Sequence, residues 1–287
     1  MKNEYNNAGV NNNISNNNID ISIIIPTKNE EKNIKNLLSD IKKQKINYRN
    51  KKLKIEIIVA DARSMDKTKQ IAKKFGAKII RGGLPAIGRN RGAKIARGNI
   101  LYMMDADIRL PKKDFILKSY TEFKRRKLDC AVVDNKPLNI NGLKKWEKYA
   151  IKGFYEVGNI WIRGFQITKG ACGIGTCMIF KKSSFKDVGG FDEKIYYAED
   201  SALIKKLARN GYKFRVLKKP IHIKFSPRRP INQGVAKFFW NAAKLELYRK
   251  ISNKEIKSKK LYQKITNVED HFKNNKKNKT EFFYVFL

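Results

Sequence analysis

Residues 21–30 read Ile-Ser-Ile-Ile-Ile-Pro-Thr-Lys-Asn-Glu, an apolar burst that stops at Pro26 and gives way to a polar loop. So short an apolar run, bounded by a proline, is the signature of a strand buried on both faces. Just beyond it Ile34, Leu37, Leu38 and Ile41 recur at helical spacing, which predicts a helix over 30–43. The couple then repeats. Residues 54–60 read as a strand, 65–75 as a helix ended by Gly76, and 77–80 as a strand. Residues 87–96 read as a helix closed by Gly98, and 99–104 as a fourth strand. This alternation predicts a mainly parallel α/β sheet with helices on both faces. In such sheets ligands gather beyond the carboxyl ends of the strands. The rule selects 26–30, 61–66 and 105–107, all three polar and two of them acidic.

The second half is less regular. Residues 142–164 place Trp146, Tyr149, Ala150, Gly153, Phe154, Val157, Ile160 and Trp161 at helical spacing, which reads as a core helix, although the aromatic load also suits a membrane interface. Residues 177–180 and 213–217 read as strands, 200–210 and 234–249 as helices. Residues 251–280 hold nine lysines against Glu255, Glu269 and Asp270 and read as a solvated, partly disordered tail.

The chain has 287 residues, 41% hydrophobic, and a formal net charge of +38. The charge points to anionic partners such as phosphates, nucleic acid or an acidic membrane face. Part of it is plain compositional bias, since Lys, Asn and Ile are frequent even where no motif stands. Three cysteines, Cys130, Cys172 and Cys177, leave an odd count and suggest a reducing compartment, with the thiols as small buried hydrophobes. The Asn-rich residues 1–19 read as a disordered tail without a signal-peptide core. No apolar run has the ~18 residues that a membrane span requires.

The chemistry centres on Asp105-Ala-Asp107, two carboxylates two residues apart at the end of the fourth strand. Such a pair can share one hard cation, Mg2+ or Mn2+, with substrate phosphate oxygens. Glu199-Asp200 opens the helix at 200–210. Acids there complement the helix dipole, and one of them can also serve as a general base. The loop Gly170-Ala-Cys-Gly-Ile-Gly-Thr176 lacks the Gly-Lys-Ser/Thr ending of a phosphate loop and fits the border of an acceptor site.

Taken in order, these segments resemble family 2 glycosyltransferases of the GT-A fold. Residues 23–31 resemble the family's first strand and nucleotide-contacting loop, and 57–68 its second-strand motif, led by Asp61. Gly88-Arg-Asn-Arg-Gly-Ala93, Ala96-Arg-Gly98, Asp105-Ala-Asp107, Gly189-Gly-Phe-Asp-Glu193 and Glu199-Asp200 follow in the family's order; His222 and Ser226-Pro-Arg-Arg229 resemble a late motif of one branch. Ala62 and Arg63 depart from it, standing where glycines are common.

The resemblance covers residues 21–230. It implies a GT-A domain over 20–230, followed by a basic helical extension over 231–287. It further implies donor contacts from Pro26, Thr27, Glu30, Asp61, Arg89, Asp105, Arg228 and Arg229. Asp105 and Asp107 would hold the metal, with His222 as a third ligand or diphosphate contact against the alternative of a structural histidine. Asp200, with Glu199, would take the acceptor proton in an inverting, metal-dependent transfer from a nucleotide-sugar.

The acceptor class stays open between a glycan, a small molecule and a lipid-linked phosphate. The expected location is cytoplasmic, at the inner face of an anionic membrane. Contact would come through the helix 234–249, whose stripe is Val235, Phe238, Phe239, Ala242 and Leu245. Two rival classes are a nucleic-acid-binding protein and an inactive scaffold. Dispersed basic residues and the lack of a nucleic-acid motif oppose the first; the intact acid set opposes the second.

Overall fold

The computed structural model describes residues 19–138 and 140–266. β1 (Ile21–Thr27) is buried along its whole length between two parallel neighbours. It is followed by α1 (Glu31–Lys42) and a short ladder of β2 (Asn47–Tyr48) with β3 (Lys51–Lys52). β4 (Ile55–Asp61), α2 (Thr68–Lys74), β5 (Lys78–Arg81), α3 (Pro85–Ile95) and β6 (Ile100–Met104) complete the expected alternation. Side chains of β1 feed two cores because successive strand residues face opposite ways. Ile21, Ile23 and Ile25 join Ile34, Leu37, Leu38 and Ile41 of α1 on one face. Ile24 joins Ala86 and Ala93 of α3 on the other. A Cβ at Gly92 would stand 2.4 Å from the Ile24 side chain, so α3 lies closer to the sheet than any other residue there allows.

Beyond β6 come β7 (Ile108–Arg109), α4 (Phe115–Arg125), β8 (Cys130–Val132), β9 (Asp134–Pro137) and the long α5 (Lys145–Phe165). Next are β10 (Cys177–Lys181), α6 (Lys182–Asp187), α7 (Glu199–Arg209), β11 (Phe214–Val216) and β12 (His222–Phe225). The described chain closes with α8 (Arg228–Gln233), α9 (Val235–Ser252) and α10 (Lys259–Thr266). The main sheet runs β11-β8-β10-β6-β1-β4-β5. It is parallel except for β10, which pairs antiparallel with both β6 and β8. A second sheet, β7-β12-β9, starts directly after Asp107.

Three expectations for the second half need correction. α5 is not a core helix throughout: Ile151, Tyr155, Asn159 and Ile162 face inward, while Trp146, Tyr149, Val157, Ile160 and Trp161 are exposed. The stripe of α9 is turned inward, for Val235, Phe238, Ala242 and Leu245 are buried and Phe154 stacks on Phe239 at 4.4 Å. The tail begins later than expected. Ile256 and Tyr262 are buried against Tyr197, Ala198 and Leu245, and the Tyr196 amide donates to the Ile256 carbonyl at 2.8 Å. The remainder of that tail, 267–280, lies outside the described residues, as does the expected N-terminal tail apart from Ile19. Cys130 and Cys177 are buried free thiols, as expected, and Cys172 is half-buried. No helix among the described residues is long and apolar enough to cross a membrane.

Candidate active site

β1 and β4 end in register, with Thr27 opposite Asp61. The Asp61 carboxylate accepts from the Thr27 hydroxyl at 3.1 Å, from the Ser64 amide at 2.8 Å and from the Ser64 hydroxyl. The two loops that follow are laced together. The Asn29 amide donates to the Ser64 hydroxyl, the Met65 amide to the Asn29 side chain and the Glu30 amide to the Thr68 hydroxyl, each at 2.8 Å. Polar side chains cluster here because loop amides beyond the last ladder bond still need acceptors.

At the end of β6 the Asp105 carboxylate accepts from Arg89 Nη2 at 2.7 Å, and Arg89 Nη1 donates to Glu199 at 3.0 Å. Arg89 Nη2 also reaches the Gly175 carbonyl at 3.2 Å. The Arg89 side chain has no solvent exposure. It therefore ties α3, β6 and α7 together from inside and is not a donor contact, which corrects the role implied for it. Asp200, next to Glu199, is held by the Ser201 amide at 2.7 Å and by a backbone hydrogen bond from Gly175. A Cβ at Gly175 would fall 2.8 Å from an Asp200 oxygen, so this loop closes over the acid only with glycine there. Ala198 enters α7 in the left-handed region, at φ 58°. Strain of this kind, of order 1–3 kcal/mol, gathers at functional sites.

A second guanidinium completes the row. Arg228 Nη2 donates to Glu30 at 2.8 Å and to Asp107 at 3.1 Å. Pro26, Thr27, Glu30, Asp61, Asp105, Asp107, Glu199, Asp200 and Arg228 thus share one edge of the sheet. Two other expected residues do not join them. Arg229 turns to the C-terminal helices, donating to the Tyr262 hydroxyl at 2.6 Å and lying 5.5 Å over the Phe238 ring. His222 opens β12, whose far end carries Ser226 beside the Asp107 carbonyl. Four strand residues place it roughly 13 Å along the strand. Its Nδ1 faces the Pro220 carbonyl at 2.8 Å, so His222 is no ligand to a cation held by Asp107.

Five carboxylates, those of Glu30, Asp105, Asp107, Glu199 and Asp200, stand around two guanidiniums in a chain that is otherwise strongly basic. Burial pushes Asp105 up to about 7, more than the Arg89 charge offsets, and the Asp107 charge adds to the rise. Burial, then the Asp200 charge, pushes Glu199 up to about 8. Asp200, Asp107 and Glu30 are raised as well, each chiefly by burial. Uncompensated carboxylate charge of this kind suits a hard divalent cation. No three His, Cys, Asp or Glu side chains among the described residues form a ready cage.

The shifts carry a pH dependence. Asp105 and Glu199 bind their protons more tightly folded than unfolded, so stability falls as pH rises through the folded values of about 7 and about 8. Unfolded carboxylates are already ionised above ~5 and lysines titrate only near ~10, so the raised buried carboxylates carry most of the change in that window. The thermal midpoint of the metal-free protein is expected to drop between about pH 5.5 and about pH 8.5, and Asp105→Asn to flatten the drop. A midpoint that holds or rises across this range contradicts the assignment.

Residues 22–189 match the family model of glycosyl transferase family 2, more than half of the chain. The 4,4'-diaponeurosporenoate glycosyltransferase of Staphylococcus haemolyticus is 34% identical over 120 residues, 38% of this chain and 30% of that protein. The dolichol-phosphate mannosyltransferase of Pyrococcus furiosus is 37% identical over 101 residues, 32% of this chain and 26% of that protein. The match therefore spans less than a third of either relative. Among solved structures, the mannosyltransferase PcManGT from Pyrobaculum calidifontis, in complex with GDP-Man and Mn2+, aligns with a TM-score of 0.61 at 20% identity. The alignment covers 86% of this chain and 68% of that one. S. aureus TarS 1–349 in complex with UDP aligns with a TM-score of 0.56 at 20% identity, over 86% and 70% of the two chains. At such identity the likeness concerns the fold, which is the GT-A arrangement expected from the motifs. With its central strands, its strand-end acids and the match over residues 22–189, the chain belongs to glycosyl transferase family 2.

Proposed function

We propose that the chain moves a sugar from a nucleotide-diphosphate-sugar to an acceptor hydroxyl or lipid phosphate, with inversion at the anomeric carbon and with bound Mg2+ or Mn2+. The observation that carries this reading is the row of acids and guanidiniums from Glu30 through Arg228 and Asp107 to Arg89 and Glu199. The neighbours solved with GDP-Man and Mn2+, and with UDP, support the donor class. Thr27 and Asp61, with the interlaced loops behind them, hold the nucleoside. Asp107 and Asp105 hold the cation, which when bound supplies Lewis-acid stabilisation of the departing diphosphate. Arg228 adds a fork of donors for the same phosphate oxygens.

Asp200 takes the proton of the attacking acceptor. Two adjoining buried carboxylates retain one proton between them near neutral pH. Glu199, with its value of about 8, keeps it. Amide donors from Ser201 and Gly175 favour the charged form of Asp200.

The metal assignment is tested by Asp107→Ala. This partly exposed strand-end carboxylate contributes little to packing, so the variant is expected to fold normally and to lose Mn2+-dependent binding of nucleoside diphosphates, measured calorimetrically. Near-normal Mn2+-dependent affinity removes the assignment. A thermal-shift screen of the common nucleoside diphosphates identifies the base, since a ligand at ~100 times its Kd adds about 2.7 kcal/mol of stability.

A further inference from the structure

α5 is apolar on two opposite sides. With 100° per residue, Trp146, Tyr149, Val157 and Ile160 fall within about 80° of one another, roughly opposite the buried Ile151, Tyr155 and Ile162. A helix that is apolar all round belongs inside something, and this one has one side open. α9 lies alongside, joined through the Phe154–Phe239 stack, and exposes Trp240, Leu247 and Ile251. The chain has three tryptophans, and all three stand on these two helices, Trp146 53%, Trp161 59% and Trp240 64% exposed. Tryptophan is a highly buried residue on average, so three exposed on one pair of helices mark a surface built to be covered.

We propose that this two-helix face docks on the headgroup region of an anionic lipid bilayer. Trp and Tyr favour that layer, where an apolar ring body and a polar edge are both accommodated. Lys145 and Lys152 flank the α5 face, beside Glu156; Lys237, Lys244 and Lys250 flank that of α9, with the Lys244 ammonium 5.6 Å over the Trp240 ring. Each adds attraction to anionic headgroups within a Debye length. A second copy of the chain is the poorer occupant, because two lysine-rimmed faces on chains of net charge +38 repel. No described helix crosses a bilayer, so the contact lies at its surface. The face is one helix away from the acids. Tyr155 of α5 packs on Phe225 at 4.3 Å, and the next residue, Ser226, donates its amide to the Asp107 carbonyl. The docking surface stands without the transfer reaction; only the convenience of a lipid-borne acceptor depends on it.

The test uses the full chain with vesicles of phosphatidylcholine alone and of equal parts phosphatidylcholine and phosphatidylglycerol. Sedimentation with the anionic vesicles is expected, together with a blue shift of tryptophan emission and its quenching by brominated lipid. The triple variant Trp146→Gln, Ile160→Gln, Trp161→Gln loses roughly tenfold or more in partitioning, while Mn2+-dependent nucleotide binding stays at the parental value. Trp240→Gln, on the other helix, gives a smaller loss in the same direction and serves if the triple variant does not fold. Recovery of the parent in the supernatant with both vesicles overturns the proposal. So does a folded triple variant that partitions like the parent, because lysines alone then account for binding. A lipid-free dimer that the triple variant converts to monomer also overturns it, in favour of a second copy. Nucleotide binding, measured separately, keeps failure of the docking surface distinct from failure of the transferase reading.

Discussion

Asp200→Asn lowers sugar transfer by about 10²- to 10⁴-fold, the range a positioned general base contributes, and leaves donor binding intact. The amide keeps the shape of the carboxylate, and its one oxygen can still accept from the Ser201 amide, so the start of α7 is expected to hold. What is lost is the group that takes the acceptor proton. Single-turnover transfer with a saturating donor, beside a calorimetric donor titration, separates the two effects. A rate within a few-fold of the parent rules Asp200 out as the base. If Glu199→Gln were then the variant to lose the rate, the two acids would exchange roles. Glu199 is tied to Arg89, however, so its variant is also expected to destabilise the fold, which Asp200→Asn is not.

Arg89→Met destabilises the protein by about 3–5 kcal/mol, the cost of leaving buried charges without their partner. Methionine fills the volume but withdraws the donors to Asp105, Glu199 and the Gly175 carbonyl together. The sign of the pH effect distinguishes this from a packing defect. Both acids already sit high, at about 7 and about 8, and losing the guanidinium raises them further. At about pH 5.5 they are neutral and the deficit shrinks; at about pH 8.5 they are pressed to ionise and it grows. Denaturant unfolding at the two pH values measures the difference. A deficit below about 1 kcal/mol at both would mean that the buried clamp contributes no more than an exposed ion pair.

Local patterns carry much of this molecule. Buried parallel strands announce themselves as short apolar runs, and α1 as the repeat of Ile34, Leu37, Leu38 and Ile41, because each pattern is complete within a few residues of chain. Asp61, Asp105 and Asp107 are legible as site residues on the same ground: each stands at the carboxyl end of a strand, and strand ends in a parallel sheet share one edge. Partners distant along the chain are not legible this way. Arg89 meets Glu199 across 110 residues and Arg228 meets Glu30 across 198. Nothing local distinguishes such an arginine from one that binds phosphate.

Arg228 and Arg229 are neighbours with the same chemistry, and only the packing of α8 sends one to the acids and the other to Tyr262. His222 belongs to the right motif, but the register of β12 puts it at the wrong end of the strand. β10 reads from sequence as a strand and carries no sign of its antiparallel direction, which depends on the strands it joins. In α5 the sequence sets the period but not the side. Both faces are apolar, so periodicity alone does not tell core from surface; the choice is made by which face meets β9 and β12, leaving Trp146 and Trp161 outside.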